Sequence, residues 1–580
     1  MLFTTRAYLT HRQIIATASY HQKFIKLLLN YRYSSGVSSE SNQNYEDIYS
    51  KTNLVVPEYF NFAKDIIGKW VNKKGDATAL WLTDGINSEQ VSYSSLYTEA
   101  QSLATALSNP TPPRCAMVIL PKVKEWWVIN VAGSWCNTII SPGSIMLTSK
   151  DVKQRLEKYP FDCLICSAEI AERINDVTID VAYRIVVEDP KNVRNGWINY
   201  HDLISSVNQN DIIKCASTKG NDVCQLFFTS GTTGLPKMVA HTQADYGIGL
   251  TISSQYWLDI TEKDVLWSIS DTGWVKAAWK GLYCPWLGGA TAFVHKNPCF
   301  DPLEVARILS EYPVSVFCAP PTVYRALVQL DLTQFTFGAL RHCAGGGEPI
   351  NPEVIDTWEK HTGITIKEGY GQTESTLMCS NIRGMESRPG SMGKPTPGYI
   401  LKILDDKLKE VKIGKEGHLG VDLSQGHPIG LFRRYEYNPE QTAKVFQGNY
   451  YFTGDKAYKD EDGYFWFVGR ADDVIISAGY RIGPFEVESA LLEHPAVVES
   501  AVVSSPDDIR GEVVKAFVVL SEEYMAADKS SLKQELQNHV KKTTAPYKYP
   551  RKIEFVSSLP KTISGKIRRV ELREMEWKKV

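Results

Sequence analysis

Short apolar runs alternate with longer amphipathic stretches from about residue 55 to 450. Runs at 115–120, 161–166, 226–228, 290–295 and 314–319 read as buried strands, too short for helices. Between them, residues 94–107 and 302–311 carry helical spacing. Strands separated by helices predict an α/β fold, here a large N-terminal multi-sheet domain with helices packed on the sheets. The pattern changes near Gly469. Beyond it, 485–493 and 531–541 read as helices and 496–504, 513–520 and 553–556 as strands, which predicts a small, mobile α+β C-terminal domain. The expected boundaries are 45–470 and 471–580, with a polar hinge at 468–473.

Composition narrows the possibilities. A chain of 580 residues is too long for a single core. Its 43% hydrophobic and 22% charged content excludes wholesale disorder. Lys and Arg total 64 against 66 Asp and Glu, so no global field attracts nucleic acid or an anionic membrane. No apolar run reaches the roughly 18 residues that suggest a spanning helix. The 11 cysteines are odd in number, which fits a reducing compartment better than a disulfide scaffold. Cys163 and Cys166 form a lone C-x-x-C with no second pair at zinc-binding spacing, so core packing is the simpler reading.

The N-terminus differs from the rest. Arg6, Arg12, Lys23, Lys26 and Arg32 all precede the first acid, Glu40, in a Ser/Thr-rich stretch with apolar residues at helical spacing. Residues 1–40 are therefore expected to be a mitochondrial transit peptide directing the chain to the matrix, with a disordered basic tail as the competing reading.

Candidate chemistry begins at Thr229-Ser230-Gly231-Thr232-Thr233-Gly234-Leu235-Pro236-Lys237, directly after an apolar run. The glycines let backbone N–H groups converge on a phosphate, while the hydroxyls and Lys237 add donors and charge. A P-loop would end in Gly-Lys-Ser/Thr, whereas here Pro236 precedes the lysine and Met238 follows it. A plain hairpin turn is the competing reading. Further segments follow in order: Glu368-Gly369-Tyr370-Gly371-Gln372-Thr373-Glu374 after a strand-like 363–367, Tyr451-Phe452-Thr453-Gly454-Asp455, and Gly469-Arg470-Ala471-Asp472-Asp473. Ser477-Ala478-Gly479-Tyr480-Arg481 and Pro560-Lys561-Thr562-Ile563-Ser564-Gly565-Lys566 complete the series.

Each segment is weak alone. Together, in this order, they resemble the acyl-adenylate-forming superfamily of acyl-CoA synthetases, luciferases and peptide-synthetase adenylation domains. Residues 270–274, 486–488, 494–499, 510–518 and 544–555 are further similar to the mitochondrial medium-chain acyl-CoA synthetases. The resemblance spans nearly everything after the expected leader.

It implies a two-step ligase: a carboxylic acid and ATP give acyl-AMP and pyrophosphate, and CoA then takes the acyl group and releases AMP. The acid would be a medium-chain fatty acid or a benzoate-like acid. A carboxylate repels nucleophiles and has a poor leaving group, so both steps need positioning and charge neutralisation. The resemblance gives the 229–237 loop the pyrophosphate, Glu368 and the 369–373 segment the adenine and α-phosphate, and Glu374 the Mg2+. Thr373, Glu374 and Lys566 become the catalytic set, with Lys566 bridging carboxylate and α-phosphate. Asp455 accepts from the ribose hydroxyls, and Arg470 supports the nucleotide.

After rotation of the small domain about Asp472, Ala478, Gly479 and Tyr480 would meet the CoA thiol. Arg481 would contact the acyl-AMP or order that loop. Arg510, Lys541 and Lys542 would approach CoA phosphates, with solvated surface as the competing reading. Gly371 stands where acetate-preferring relatives carry an aromatic wall, so open space for a longer acid is expected there. Trp274 and residues 277–279 would shape that cavity, Trp274 reading equally as core.

Met146 and the glycine-rich Gly345-Gly346-Gly347-Glu348 depart from the family pattern, the latter suggesting looser nucleotide contacts. Two other functions compete: adenylation with transfer to a carrier protein or to oxidation, and nucleotide binding without catalysis. Retention of Lys237, Glu374, Asp455, Arg470 and Lys566 argues against the second. The expected partners are small molecules; oligomeric state is not legible.

Overall fold

The computed structural model describes residues 43–175, 180–187, 196–229, 237–297, 299–477, 480–507, 510–562 and 566–578. The expected leader lies outside these, as do 230–236, Ala478 and Gly479. The chain is a mixed α/β structure with a large multi-sheet N-terminal part and a smaller C-terminal one.

Three sheets build the large part. A nine-stranded sheet runs Lys394–Pro395, Leu377–Ser380, Ile366–Gly371, His342–Gly346, Val316–Ala319, Val265–Ser268, Thr291–His295, Thr78–Thr83, Ser88–Ser92. Its centre is parallel and both edges are antiparallel. A seven-stranded sheet carries Cys115–Ile119 near its middle and ends on the antiparallel pair Val223–Thr229 and Lys237–Thr242. A five-stranded sheet is built around Tyr450–Lys459. Central strands of the first two, Cys115–Ile119 and Val316–Ala319, are buried on both faces, as in parallel sheets covered by helices.

Local signals account for the elements. Pro302–Glu311 starts where the Asp301 carboxylate accepts the Leu303 N–H and Pro302 takes the first turn, and it buries Val305, Ala306, Ile308 and Leu309. Its bounds match the sequence expectation. Cys163–Cys166 is a wholly buried strand, and all 11 cysteines are free. One expectation needs correction. The strand expected at 363–367 runs instead over Ile366–Gly371, so Gly369, Tyr370 and Gly371 are strand residues held between a parallel and an antiparallel neighbour. The missing side chains of Gly369 and Gly371, argued below, are what let other groups pack on that strand.

Sheet membership changes after Phe465–Arg470. Ile475–Ser477 pairs with Tyr480–Ile482 and with Gly511–Leu520, which in turn pairs with Val497–Asp507 and Lys552–Phe555. The helices Pro484–Leu492 and Lys529–Thr543 close a separate core centred on Val487, Leu491, Val518, Leu536 and Val540. Among the described residues no helix is long and apolar enough to cross a membrane.

Candidate active site

Alternation along Ile366–Gly371 puts Tyr370 on one face of the strand and Gly369 and Gly371 on the other. On the Tyr370 face, Asp455 is the centre. It lies directly opposite Arg470 in the antiparallel pairing of Tyr450–Lys459 with Phe465–Arg470. Its carboxylate accepts from Arg470 at 2.8 Å, from Gln372 Nε2 at 2.8 Å and from the Tyr370 hydroxyl. Gln372 is fixed in turn, donating to the Thr453 carbonyl and accepting from Tyr451. Asp455 is 3% exposed, and burial pushes its carboxyl up despite Arg470, whose charge opposes that shift.

Glu374 follows two residues beyond Gln372. Its Oε1 accepts the Tyr435 hydroxyl at 2.7 Å. Lys237 lies over the same Tyr435 ring, 5.0 Å from its centre. Thr229 and Lys237 face each other as the last pair of an antiparallel ladder, on either side of 230–236. Ser230, Gly231, Thr232, Thr233, Gly234, Leu235 and Pro236 lie outside the described residues. Thr373 is held through its carbonyl, which accepts from Nε2 of the fully buried His241 at 2.6 Å.

Glu368 is placed differently from its neighbours. Its carboxyl accepts the Ile350 N–H at 3.2 Å and the Gly390 N–H at 2.9 Å inside the core. Burial pushes it up to about 8, with those two hydrogen bonds opposing.

The opposite face is apolar. A Cβ on Gly369 would lie 2.6 Å from the Trp257 ring, and one on Gly371 2.8 Å from the Trp279 ring. The space expected at Gly371 is therefore occupied by Trp279, which takes the aromatic wall from the helix rather than from the strand. That helical run, 275–288, passes from an α to a π turn between Ala278 and Trp279. Gly345, Gly346 and Gly347 also serve packing: a Cβ on Gly346 would meet the Gly369 carbonyl at 2.4 Å, and one on Gly347, at φ +101°, the Lys276 ammonium at 2.3 Å. The looser contacts expected of this segment give way to close approach. Trp274 is partly buried, and no acceptor takes its indole N–H.

The two parts of the chain meet near Lys276. Surrounding protein pushes its amine down to about 7, and the Lys566 and Lys280 ammonium groups push the same way, while Glu348 opposes. Lys566 thus comes within electrostatic range of the large part. Asn351 donates to Ser489 at 2.8 Å, and Arg573 pairs with Asp473 at 2.8 Å while donating to the Asp472 carbonyl. Three other predicted residues have neighbours within the small part. Tyr480 is exposed and stacks on Tyr547, Arg510 lies 3.9 Å from Asp507, and Lys541 sits over Tyr549. Arg481 belongs to the strand Tyr480–Ile482. Met146 is exposed.

Comparison with known proteins decides the family. The pattern described as AMP-binding enzyme matches residues 67–435, and that of the AMP-binding enzyme C-terminal domain matches 486–566. The chain belongs to the AMP-binding enzyme family. It is 48% identical to the mitochondrial acyl-coenzyme A synthetase ACSM3 of Rattus norvegicus, over 92% of this chain and 93% of that protein. It is 46% identical to the mitochondrial acyl-coenzyme A synthetase ACSM4 of Homo sapiens, over 91% and 93%. Among solved structures it is similar to the anthranilate CoA ligase AuaEII in complex with anthranoyl-AMP, with TM-score 0.82 and 28% identity over 90% of this chain and 98% of that one. A benzoate CoA ligase from Burkholderia xenovorans is similar with TM-score 0.77 and 27% identity, over 89% and 100%.

Sequence motifs of this AMP-binding enzyme missed Tyr435, Lys276 and Lys280. Tyr435 lies 61 residues from its partner Glu374 and carries no motif. The lysines did leave a signal: two cations one turn apart within the apolar run Trp274-Val275-Lys276-Ala277-Ala278-Trp279-Lys280. The donors also bear on Mg2+. Among the described residues no three or more His, Cys, Asp or Glu side chains cluster. Glu374 alone offers a carboxylate beside Lys237 and Tyr435, which fits an ion that keeps water and substrate phosphate as its other ligands.

Proposed function

We propose that this chain is a medium-chain acid–CoA ligase of the mitochondrial matrix. Its class is AMP-forming, with ATP, Mg2+ and CoA as cofactors. In the first step a carboxylate oxygen attacks the α-phosphorus of ATP, the α–β bridge breaks, and pyrophosphate leaves. In the second the CoA thiolate attacks the acyl carbon and AMP leaves.

Lys566 neutralises the repulsion between carboxylate and α-phosphate, and the 229–237 loop with Lys237 takes the charge of the departing pyrophosphate. Glu374 holds Mg2+, which supplies charge neutralisation at the phosphates when bound. Thr373 lies beside the α-phosphate, positioned by His241. Asp455 orients the ribose, and Arg470 pairs with that carboxylate. The adenine lies along Gly369, Tyr370 and Gly371. The small domain, 471–580, then turns about Asp472, withdrawing Lys566 and bringing Ala478, Gly479, Tyr480, Arg481 and Arg510 to CoA. Residues 1–40 are the leader that carries the chain to the matrix.

The observation that carries this reading is the convergence, at one end of the strand Ile366–Gly371, of the Asp455–Arg470 pair, Glu374 with Lys237, and Lys566 near Lys276. The test is AMP release from ATP and a panel of acids, with CoA present or omitted. CoA-dependent AMP release with octanoate is the expected result. Acid-dependent exchange of pyrophosphate into ATP without CoA turnover would point to another acyl acceptor, and no acid-dependent reaction would overturn the reading.

A further inference from the structure

The helical run 275–288 carries hydrogen-bond donors that the protein itself leaves without strong acceptors. Lys280 is 5% exposed, yet among the described residues no carboxylate forms an ion pair with it. Its ammonium lies over the Trp257 ring at 4.4 Å and within 5.7 Å of the Trp279 ring, and the protein atom it hydrogen-bonds is the Cys318 thiol. A thiol is a weak acceptor, and burial keeps that one protonated. Trp279 Nε1 is buried and meets only the Cys284 thiol. Trp274 Nε1 is buried without a partner. Lys276 sits one turn before Lys280 and faces Gly347, and its nearest acid, Glu348, is committed to Arg325 at 3.4 Å.

A buried ammonium without a counter-ion is costly, so its retention needs a reason. The nucleotide does not provide one. Lys280 and Trp279 lie on the Gly369 and Gly371 face of the strand, whereas Tyr370 and Asp455 lie on the other. Phosphate held at Glu374 and Lys237 belongs with the Asp455 face. The face that Lys280 shares with two indole rings is where the tail of the acid would lie, beginning at Lys566 and passing Lys276. Aromatic walls with cationic ends suit a molecule that is apolar along its length and anionic at its far end.

We infer that Lys280, assisted by Lys276 and the Trp274 and Trp279 indole N–H groups, receives a second carboxylate on the acid, so that the preferred substrates are dicarboxylic acids. This rests on the ligase reading above and specifies its substrate class. Lys566 takes the carboxylate that is adenylated, and Lys280 pairs with the one that is not. No bond changes at Lys280; it acts on selectivity alone.

The test compares matched acids in the full ATP, Mg2+ and CoA assay: octanoate against octanedioate, and benzoate against benzene-1,4-dicarboxylate. The two pairs distinguish a straight from an aromatic tail. In the wild-type protein at least one dianion is expected to exceed its mono-acid partner in kcat/KM. Lys280→Met should move that ratio about ten- to a hundredfold toward the mono-acid, the scale of one hydrogen bond between charged partners. Lys280→Gln, which keeps a donor and removes the charge, should move it the same way and covers the case in which the Met variant fails to fold. Thermal shifts with each acid in the absence of ATP supply a binding readout independent of turnover: the dianion should stabilise the wild type and lose that effect in both variants. Turnover of octanoate with an unchanged ratio in both variants would overturn this inference and leave the ligase reading intact. Loss of all acid-dependent AMP release in the wild type would overturn both.

Discussion

The two faces of the strand Ile366–Gly371 are built on opposite principles. On the Tyr370 face every polar group around Asp455 is paired: carboxylate with guanidinium, amide and phenol, and the amide again with Tyr451 and Thr453. On the glycine face the donors of Trp274, Lys276, Trp279 and Lys280 find thiols, ring faces or nothing. A satisfied network is rigid before its ligand arrives, and suits a nucleotide that is the same in every turnover. An unsatisfied one waits for its partner and can discriminate strongly, because the wrong acid leaves buried groups unpaired. Constancy and choice are thus separated by one layer of backbone.

The largest expected effect breaks the paired face. Asp455→Ala strands the Arg470 guanidinium and removes the acceptor of Tyr370 and Gln372. Unfolding in denaturant should show a loss of about 2 kcal/mol, chiefly from the partly buried Tyr370 and Gln372 donors left without that acceptor. Arg470 adds little, since water can reach its half-exposed side chain. Both half-reactions, measured separately as acyl-AMP formation and as thioester formation from supplied acyl-AMP, should slow by about 10²-fold. A defect confined to one half-reaction would contradict the ribose assignment.

Lys566→Ala sharpens the contrast from the meeting point of the two faces. Acyl-AMP formation should fall by about 10²-fold, while thioester formation from supplied acyl-AMP stays near normal. Equal losses in both steps would sink the rotation of the small domain.

Next comes the acid buried behind the strand. The folded Glu368 carboxyl is pushed up to about 8 from an ordinary 4.5, so the native state keeps a proton that the unfolded chain releases. Its contribution is fully present below pH 4.5 and is lost as pH rises through 8. The wild type should therefore lose stability across that window. Glu368→Gln, which cannot ionise, should show a flatter profile and sit about 1–3 kcal/mol lower at acid pH, because its amide faces an N–H donor. A parallel pair of profiles would refute the assignment.

The smallest effect carries the opposite sign. Lys280→Met replaces an unpaired buried ammonium by a thioether of similar length. It should raise stability by roughly 1 kcal/mol, the desolvation relief exceeding the ring contacts with Trp257 and Trp279. A stabilising substitution on one face beside a destabilising one on the other is the clearest signature of the difference between them. A clear fall in melting temperature would show that Lys280 is structurally satisfied.

Much of this was legible in the residues, and the rest was hidden for physical reasons. Pro302–Glu311 was readable because its cap, its proline and its apolar spacing agree. Asp455 and Arg470 stood in motifs, but their pairing depends on the register of two strands fifteen residues apart, which no motif states. Glu368 shows the limit of adjacency: two positions before Tyr370, its carboxyl reaches Ile350 and Gly390 instead of Asp455. Gly371 shows another limit. An absent side chain reads as empty space in a sequence, and only the fold reveals that Trp279 fills it.

One hydrogen bond has a mechanical meaning. His241 ends on the edge strand of the seven-stranded sheet, and its ring nitrogen grips the carbonyl of Thr373, which belongs to the loop leaving the nine-stranded sheet. Being buried, that contact cannot be replaced cheaply by water. It is a strut between two plates. Any slip of one plate against the other would be delivered, undiluted by side-chain slack, to the two-residue step that carries Thr373 and Glu374. Load on the scaffold would then reach those two residues directly.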